Sequence, residues 1–301
     1  MYDIIIVGAG PAGLTASIYA RRSNKKVLVL EANTYGGQII NTLDIENYPV
    51  EMHISGFDFA TKLYNQAKEL GSEIKFERVN EIKNLDNHKE VITTKNTYEC
   101  KSIILATGSL NKHLGIDREK ELTGKGISYC ATCDGAFYKH KDVAVVGGGN
   151  VAVEDALYLS DIVNKVYIIL RNDTFKAEES SVNDLKKKDN IEIIYNSSIV
   201  KLIGESKLEK IVIKDKNEKE KELDVSGLFI AIGRTPENEN FKNLVNLDEY
   251  GYIITNENCH TNVEGIFASG DNRVKELRQL VTATSDGAIA ATEAIKYVNK
   301  I

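Results

Sequence analysis

Short hydrophobic runs alternate with helical patterns at the start of the chain. Residues 4–7 form an apolar run of strand length, a helical pattern covers about 11–23, and a second apolar run covers 26–30. Buried parallel strands are near-continuous apolar runs, and the helices between them cover the sheet. The first thirty or so residues therefore predict a β-α-β unit.

The same order of elements recurs in the middle of the chain. An apolar run at 142–146 precedes a helical pattern that reaches about residue 160, and a further run follows at 165–170. The two patterns begin roughly 140 residues apart. At about 150 residues per domain, this spacing predicts two domains of one kind.

The C-terminal part predicts that one domain is inserted into the other. Residues 265–269 form a short strand, and about 281–299 form an alanine-rich helix. A lone strand must join a sheet, and the first domain is its natural host. We therefore predict an α/β fold of two Rossmann-like, three-layer dinucleotide-binding domains, the first from 1–112 and 242–301 and the inserted one from 113–241.

Composition and charge exclude several classes of protein. Of the 301 residues, 42% are hydrophobic and 27% are charged, as in ordinary folded domains. The 38 basic and 44 acidic residues give a net charge of −6, which argues against a nucleic-acid binder. We see no secretory leader and no apolar stretch long enough to span a membrane, so we expect a cytoplasmic protein without a membrane partner.

The first glycine-rich turn has the spacing of a dinucleotide-binding motif. Gly8, Gly10 and Gly13 form G-x-G-x-x-G between the predicted strand and helix, and Glu31 follows 18 positions after the last glycine. Such glycines allow a tight turn, close approach of a pyrophosphate and close helix–strand packing. The helix N-terminus favours phosphate, and an acidic residue at this distance can bind a ribose.

A second glycine-rich turn follows the strand at 142–146. It has Gly147 and Gly149, and Ala152 takes the place of the third glycine. An acid after the next strand favours NAD, and arginines favour the 2′-phosphate of NADP. This chain has Arg171 and Lys176 there, with an asparagine and an aspartate between them, which matches neither pattern.

The cysteines suggest redox chemistry. Cys130 and Cys133 form a C-x-x-C pair, which is either redox-active or half of a zinc site. A structural zinc ion usually needs four ligands, and the chain has no second C-x-x-C, so the redox interpretation is favoured. Cys100 and Cys259 are expected to be small apolar fillers.

Taken together, these motifs resemble those of the low-molecular-weight, bacterial-type thioredoxin reductases. The resemblance extends over essentially the whole chain, and a C-A-T-C-D-G string just before a nucleotide motif is specific to that family. The motifs that carry it are Gly8 to Gly13, Gly36 to Gln38, Glu46 to Pro49, Ala106 to Gly108, Cys130 to Gly135, Gly147 to Asn150, Ala231 to Gly233, Gly265 to Asp271, and Arg278 with Gln279.

The resemblance implies FAD in the first domain, and a homodimer, since family members usually are. The candidate FAD-binding residues are Gly8, Gly10, Pro11, Ala12, Gly13, Glu31, Gly37, Gln38, Asn47, Ala106, Gly108, Gly270, Asp271, Arg278 and Gln279.

The resemblance also implies roles for three residues of the inserted domain. Cys133 is expected to be the sulfur nearer the flavin, and Cys130 the one that attacks the disulfide of thioredoxin. Asp134 is expected to exchange protons with the reacting sulfurs, which disulfide exchange requires. A helix N-cap or a turn residue is the structural alternative for Asp134.

The chain departs from the family pattern where NADPH-using members have a His-Arg-Arg-x-x-x-Arg run. The corresponding positions are Leu170, Arg171, Asn172 and Lys176, and Val151 replaces a small hydroxyl residue in the glycine turn. Loss of one bidentate arginine–phosphate contact costs about 1.5–3 kcal/mol. Candidate nucleotide-binding residues are Gly147, Gly149, Asn150, Arg171 and Lys176.

Two electron donors are therefore in question. The intact glycine turn favours NADPH or NADH bound at a weakened site. The arginine loss favours reduced ferredoxin, as in the ferredoxin-dependent flavin thioredoxin reductases of anaerobic bacteria. We favour ferredoxin slightly on the loss of phosphate contacts.

Two other functions remain as alternatives. A related FAD enzyme could act on a peroxiredoxin or a small dithiol, although peroxiredoxin reductases carry an extra N-terminal module. A non-catalytic redox sensor is less favoured, because the cysteines have catalytic spacing beside an acid.

Overall fold

The computed structural model describes residues 1–42 and 44–301, and these form two compact units. Met1–Leu110 and Thr235–Ile301 make the first unit, and Asn111–Arg234 make the second. The return crossing thus lies before the predicted boundary at 241–242. Phe241 explains the difference, because it is buried in the core of the first unit.

The first unit is built on one seven-stranded sheet. In chain order its elements are β1 (Tyr2–Val7), α1 (Pro11–Arg22), β2 (Val27–Glu31), a 3-10 helix (Gly37–Asn41), α2 (Gly56–Glu69), β3 (Glu73–Phe76), β4 (Val79–Asn84), β5 (Lys89–Thr93), β6 (Thr97–Leu105) and β7 (Ser109–Asn111).

The second unit contains a parallel sheet and a small antiparallel sheet. Its elements are α3 (Glu119–Leu122), β8 (Ile127–Ser128), α4 (Ala131–Asp134), a 3-10 helix (Gly135–Tyr138), β9 (Asp142–Val146), α5 (Asn150–Ser160), β10 (Lys165–Ile169), α6 (Glu179–Lys186), β11 (Ile191–Ile194), β12 (Ser197–Ile203), β13 (Lys210–Asp215), β14 (Glu220–Asp224) and β15 (Gly227–Ile230). The next strand, β16 (Arg234–Pro236), begins at the last residue of this unit and continues into the first unit.

The chain then returns to the first unit. It adds a 3-10 helix (Glu239–Phe241), β17 (Ile266–Ala268) and α7 (Leu280–Val298). Among residues 1–42 and 44–301, no helix has both the length and the apolar character that crossing a membrane requires.

The first sheet brings the ends of three parallel strands together. Its order is β3-β2-β1-β6-β5-β4, and β17 pairs with β6. Val7 of β1 is opposite Leu105 of β6, which is opposite Ala268 of β17. Ligands of open α/β sheets bind beyond the carboxyl ends of such strands, so this register places the candidate cofactor residues at one edge.

Two layers cover the first sheet. Residues of α1 and α7 pack on one face in a core that includes Leu14, Ile104 and Ala291. On the other face, Ile5 and Ile103 pack with Phe241 and the segment that follows it.

The second unit has the same three-layer plan. Its parallel sheet has the order β11-β10-β9-β15-β8. Residues of α5 and α6 pack on one face, and the antiparallel sheet β12-β13-β14 packs on the other. The predicted α/β class with two Rossmann-like domains is therefore confirmed.

Candidate functional site

The predicted C-x-x-C pair is joined by a disulfide. Cys130 immediately precedes α4, and Cys133 lies within it. A spacing of three residues spans nearly one helical turn, which brings the Cα atoms to 5.3 Å. Both residues are half-buried. Cys100 and Cys259 are fully buried free thiols, as expected of apolar fillers.

The zinc alternative finds no support in the second unit. The disulfide uses both sulfurs, which leaves no thiolate to ligate a metal. Among residues 1–42 and 44–301, the group with metal-ligand spacing is Asp44, Glu46 and His53, which contains neither cysteine. The geometry of the pair therefore favours disulfide chemistry.

A serine that the sequence did not reveal links the two candidate catalytic groups. Ser128 ends β8 and is 4% exposed. Its hydroxyl donates to Asp134 Oδ2 at 2.6 Å and accepts from the backbone N–H of Cys130 at 3.0 Å. Asp134 precedes the 3-10 helix Gly135–Tyr138 but makes no side-chain cap hydrogen bond to it. The carboxylate is therefore held beside the cysteines by a side chain, and the helix-cap alternative is not observed.

A second network supports the residue before Cys130. The Tyr129 hydroxyl donates to the buried Glu119 carboxylate at 2.7 Å and lies 2.7 Å from His113 Nδ1. Glu119 also accepts from two backbone N–H groups of the preceding loop. Burial raises the pKa of Tyr129, and the hydrogen bond to Glu119 adds to this effect. Tyr129 therefore remains a neutral donor that anchors the segment leading to Cys130.

The first glycine turn has the close packing that its motif predicts. A Cβ at Gly13 would lie 1.9 Å from the Gly8 carbonyl oxygen, and a Cβ at Gly8 would lie 2.3 Å from that of Ala106. Gly10 precedes α1 without a side-chain cap, Pro11 occupies the first turn, and that turn carries no acid. The N-terminus of α1 is therefore available to an anion.

Glu31 makes contacts that its motif does not predict. Oε2 accepts from the N–H of Ala9 at 2.8 Å, and Oε1 accepts from the N–H of Asn33 at 2.9 Å. The carboxylate thus ties the end of β2 to the glycine turn. Glu31 also lines a cleft at the end of the sheet, together with Gly8, Arg78 and Asn240. Each carboxylate oxygen can accept a second hydrogen bond, so Glu31 can still bind a ligand hydroxyl in that cleft.

Other predicted cofactor residues from distant segments meet at the same edge. Gly37 and Gln38 begin the 3-10 helix Gly37–Asn41, Gly108 follows β6, and Gly270 with Asp271 follows β17. A Cβ added at Gly10 would lie 3.9 Å from the Gly37 Cα, and one added at Gly270 would lie 2.8 Å from the Ala12 Cβ. Asn47 Nδ2 lies 3.2 Å from Gln279 Oε1, and the Arg278 guanidinium lies 4.1 Å from the Tyr252 ring centre.

A buried charge cluster holds the segment after Gly270, and the sequence motifs did not indicate it. Asp286 on α7 accepts from Arg273 Nε and Nη2, each at 2.8 Å, and from Lys275 Nζ at 2.8 Å. It also accepts from the N–H of Gly270 at 3.0 Å. Burial opposes ionisation of Asp286, but these donors outweigh it and hold its pKa below the usual range.

Replacement of Asp286 is expected to destabilise the first unit strongly. Asp286→Asn should lower the free energy of unfolding by about 3 kcal/mol at neutral pH, because two largely buried cations lose their counter-charge. Urea unfolding followed by circular dichroism measures this. Glu293→Gln is the matched control on the same helix, and its pair with exposed Lys296 predicts a loss below about 1 kcal/mol.

The same comparison has a defined pH dependence. Because the pKa of Asp286 is lowered on folding, its stabilisation is complete above the unfolded value near 4. It is lost as the pH falls through the folded value. The difference between wild type and Asp286→Asn should therefore shrink below about pH 4. A difference that is constant from pH 7 to pH 3 would contradict the ion-pair account.

The second glycine turn keeps the backbone geometry of a phosphate-binding turn. Gly149 precedes α5 without a side-chain cap, and the first turn of α5 carries no acid. A Cβ at Gly149 would meet nothing within 4 Å. Asn150 Oδ1 accepts from the N–H of Glu178 at 2.9 Å, and a Cβ at Gly147 would lie 2.3 Å from the Ala231 carbonyl oxygen. The turn is therefore intact as a backbone structure.

The residues after β10 provide few phosphate contacts. Arg171, Asn172 and Lys176 are exposed, and Leu170 is buried where nucleotide-binding relatives were expected to have histidine. The N–H of Lys176 donates to the Gly148 carbonyl at 2.7 Å, which places its backbone beside the glycine turn. One arginine and one lysine thus remain near this turn.

The residues of the first unit fit FAD. The uncapped start of α1 can accept a pyrophosphate, and the absence of side chains at Gly10 and Gly37 leaves the backbone there accessible to it. Buried polar atoms at the same edge lack protein partners, namely Asn272 Oδ1, Ser269 Oγ and Arg278 Nε. Donors and acceptors left in this way are typical of a site that a polar cofactor completes.

Comparisons with known proteins agree with this geometry. The family model of the pyridine nucleotide-disulphide oxidoreductases matches residues 2–287. A 34.2 kDa protein in the rubredoxin operon of Clostridium pasteurianum is 45% identical over 298 residues, which are 98% of this chain and 97% of that protein. Thioredoxin reductase of Listeria monocytogenes is 40% identical, with 100% of this chain and 95% of that protein covered.

A solved structure shows the same fold. Thioredoxin reductase from Streptococcus pyogenes superposes with a TM-score of 0.96 at 40% identity, covering 100% of this chain and 99% of that one. Members of this family use FAD, which confirms the predicted cofactor. The chain belongs to the pyridine nucleotide-disulphide oxidoreductase family of flavoenzymes, in its bacterial-type thioredoxin reductase group.

Proposed function

We propose that this flavoenzyme reduces the disulfide of thioredoxin through Cys130 and Cys133. The observation that carries the proposal is the disulfide itself, with the Asp134 carboxylate held beside it by Ser128. Relatives about 40% identical over the full chain are named thioredoxin reductases, which supports thioredoxin as the substrate.

The proposed exchange uses the dithiol form of the pair. The Cys130 thiolate attacks one sulfur of the thioredoxin disulfide, which breaks that bond and forms a mixed disulfide. The Cys133 thiolate then attacks Cys130, which releases the second thioredoxin thiol and restores the Cys130–Cys133 disulfide. Two electrons and two protons pass to thioredoxin, and Asp134 transfers the protons to the leaving sulfurs.

The first unit holds the cofactor in this proposal. Gly10 and Gly37 present bare backbone at the start of α1 for the pyrophosphate, Glu31 ends one strand of the same sheet, Asp271 follows another, and Gln279 precedes α7. When bound, FAD supplies a two-electron carrier that can reduce a disulfide.

We propose reduced ferredoxin as the electron donor. Only Arg171 and Lys176 remain from the arginine set expected for a 2′-phosphate, and both are exposed to solvent screening. NADPH is the second candidate, favoured by the intact, uncapped glycine turn at α5.

Gly149→Ala tests the donor with little disturbance of the chain. The backbone of Gly149 is extended, with φ −93° and ψ −179°, and the added methyl group would meet no protein atom within 4 Å. We expect thioredoxin reduction driven by reduced ferredoxin to stay within about twofold of wild type, because surface changes of this kind are nearly neutral. A drop of tenfold or more in NADPH-driven turnover, with efficient turnover in the wild type, would favour nucleotide as the donor.

We also propose a homodimer, which the resemblance to the family implies, and a cytoplasmic location. Equilibrium sedimentation of the purified chain tests the dimer. A peroxiredoxin or a small dithiol is the alternative substrate. Measuring turnover with thioredoxin, a peroxiredoxin and a small disulfide in parallel discriminates among them.

A further inference from the structure

The hydroxyl of Ser128 occupies a central place between the two groups of the proposed exchange. It is 2.6 Å from Asp134 Oδ2, 3.0 Å from the N–H of Cys130 and 3.3 Å from the Cys130 carbonyl oxygen. Ser128 is also 4% exposed, so water does not readily replace these bonds. One buried side chain thus contacts both the proposed nucleophile and the proposed proton carrier.

We propose that Ser128 is a positioning residue that lets Asp134 gain and lose a proton without movement of the heavy atoms. The inference rests on the proposed function, in which Asp134 transfers protons during disulfide exchange. It concerns only residues of the second unit.

When Asp134 is ionised, its carboxylate accepts a hydrogen bond from Ser128. Oδ2 of Asp134 can only accept, and the Ser128 hydroxyl donates its single proton to it at 2.6 Å. One lone pair of Ser128 Oγ then accepts from the N–H of Cys130. The Ser128 hydroxyl donates to the carboxylate and not to the Cys130 carbonyl oxygen at 3.3 Å, because a hydrogen bond to a charged acceptor is stronger.

When Asp134 is protonated, Ser128 Oγ accepts the hydrogen bond from its carboxyl group. The proton on Asp134 is then donated to the second lone pair of Ser128 Oγ. The Ser128 hydroxyl rotates and donates to the Cys130 carbonyl oxygen, which lies within reach at 3.3 Å. Both protonation states of Asp134 are therefore hydrogen-bonded, which a buried proton carrier needs.

Other titratable groups around this site do not take over the role. Tyr138 lies near Asp134, and its burial together with that carboxylate raises its pKa to about 12. Tyr129 donates its proton to Glu119, whose pKa is lowered by the hydrogen bonds it accepts although burial opposes this. His113 lies against Tyr129 on the exposed side. Asp155 on α5 is a further carboxyl group of this unit, and burial raises its pKa to about 7. The limb of the pH profile that belongs to Asp134 is therefore identified as the one that Asp134→Asn removes, and the shift of that limb reports on Ser128.

The test is a double-mutant cycle on the FAD-loaded enzyme, with kcat and KM for thioredoxin measured across pH 5–9. Ser128→Ala should lower kcat by about ten- to a hundredfold, the value of one hydrogen bond to a charged group. The KM should change by less than about twofold, and the limb of the pH profile that Asp134→Asn abolishes should move to higher pH. Ser128→Thr, which keeps the hydroxyl, should restore most of kcat.

Two comparisons separate positioning from general structural damage. Ser128→Ala should have less than about a twofold effect in the Asp134→Asn background, because residues that act through one another are non-additive. Ser197→Ala is the matched control, since Ser197 is 5% exposed in the same unit and its hydroxyl donates to the Tyr195 carbonyl. Additive losses, an unmoved pH profile, or an equal loss in Ser197→Ala would overturn the proposal.

A second substrate distinguishes failure of the inference from failure of the proposed function. The same cycle is run with cystamine, an aliphatic disulfide whose leaving thiol also needs a proton. If wild type reduces cystamine but not thioredoxin, the proposed substrate is wrong. The non-additivity of Ser128 and Asp134 with cystamine still decides the inference.

Discussion

Cys130→Ser is expected to lower thioredoxin turnover by at least about a thousandfold, as loss of a catalytic nucleophile does. The serine hydroxyl is not ionised at neutral pH and cannot form a mixed disulfide. FAD binding should be unchanged, because Cys130 belongs to the second unit and the cofactor residues belong to the first. Steady-state reduction of thioredoxin, together with the FAD content of the purified variant, measures both effects.

Two further variants make this result specific. Cys133→Ser should keep the attacking thiolate of Cys130 but lose the resolving one, so a mixed disulfide with thioredoxin should accumulate and be released by a thiol reductant. Cys259→Ala removes a fully buried thiol of the first unit and should leave turnover within about twofold. More than 1% residual turnover in Cys130→Ser would be incompatible with the proposed exchange.

Gly10→Ala is expected to weaken FAD binding without destabilising the polypeptide. The Gly10 backbone is extended, with φ −77° and ψ −178°, and the nearest atom to an added Cβ is the Gly37 Cα at 3.9 Å. The chain itself therefore has room for the methyl group, and the space that it fills is the space that the pyrophosphate needs. An overpacking cost of about 1–3 kcal/mol predicts a five- to hundredfold loss of FAD affinity.

Two measurements on Gly10→Ala distinguish a loss of FAD affinity from a loss of folding stability. FAD affinity is measured by fluorescence titration of the apoprotein, and the urea midpoint of the apoprotein is expected to match wild type. Gly13→Ala is the contrasting control, because its Cβ would lie 1.9 Å from the Gly8 carbonyl oxygen and should destabilise the chain itself. Full FAD affinity in a folded Gly10→Ala variant would place the cofactor elsewhere.

Much of the fold could be predicted from local patterns. The apolar runs form β1, β2, β9, β10 and β17 within two residues of their predicted ends, because continuous apolar runs of strand length have few other solutions. The glycine spacings identified both turns, since only glycine fits the Gly8–Gly13 approach in the first turn and the Gly147–Ala231 approach in the second. The last short strand joins the first sheet as expected, since β17 pairs with β6.

The supporting contacts of the sites could not be predicted in this way. Ser128 and Asp134 are close in sequence, but their hydrogen bond depends on how β8 ends and α4 begins. Arg273 and Asp286 meet because a loop folds back on α7, and nothing in their spacing indicates that. Glu31 was expected to serve a ribose, yet its oxygens also hold backbone N–H groups of the turn. Such contacts depend on tertiary structure, and neither the periodicity of hydrophobic residues nor a sequence motif indicates them.

The most direct test of the account is anaerobic mixing of the FAD-loaded enzyme with each electron donor, followed by flavin absorbance and then by addition of oxidised thioredoxin. We expect excess NADPH or NADH to leave the flavin band unchanged, and reduced ferredoxin to bleach it and to support thioredoxin reduction. Rapid bleaching by NADPH would contradict the proposed donor and show that Arg171 and Lys176 suffice for nucleotide binding. Bleaching by ferredoxin without any reduction of thioredoxin would contradict the proposed substrate.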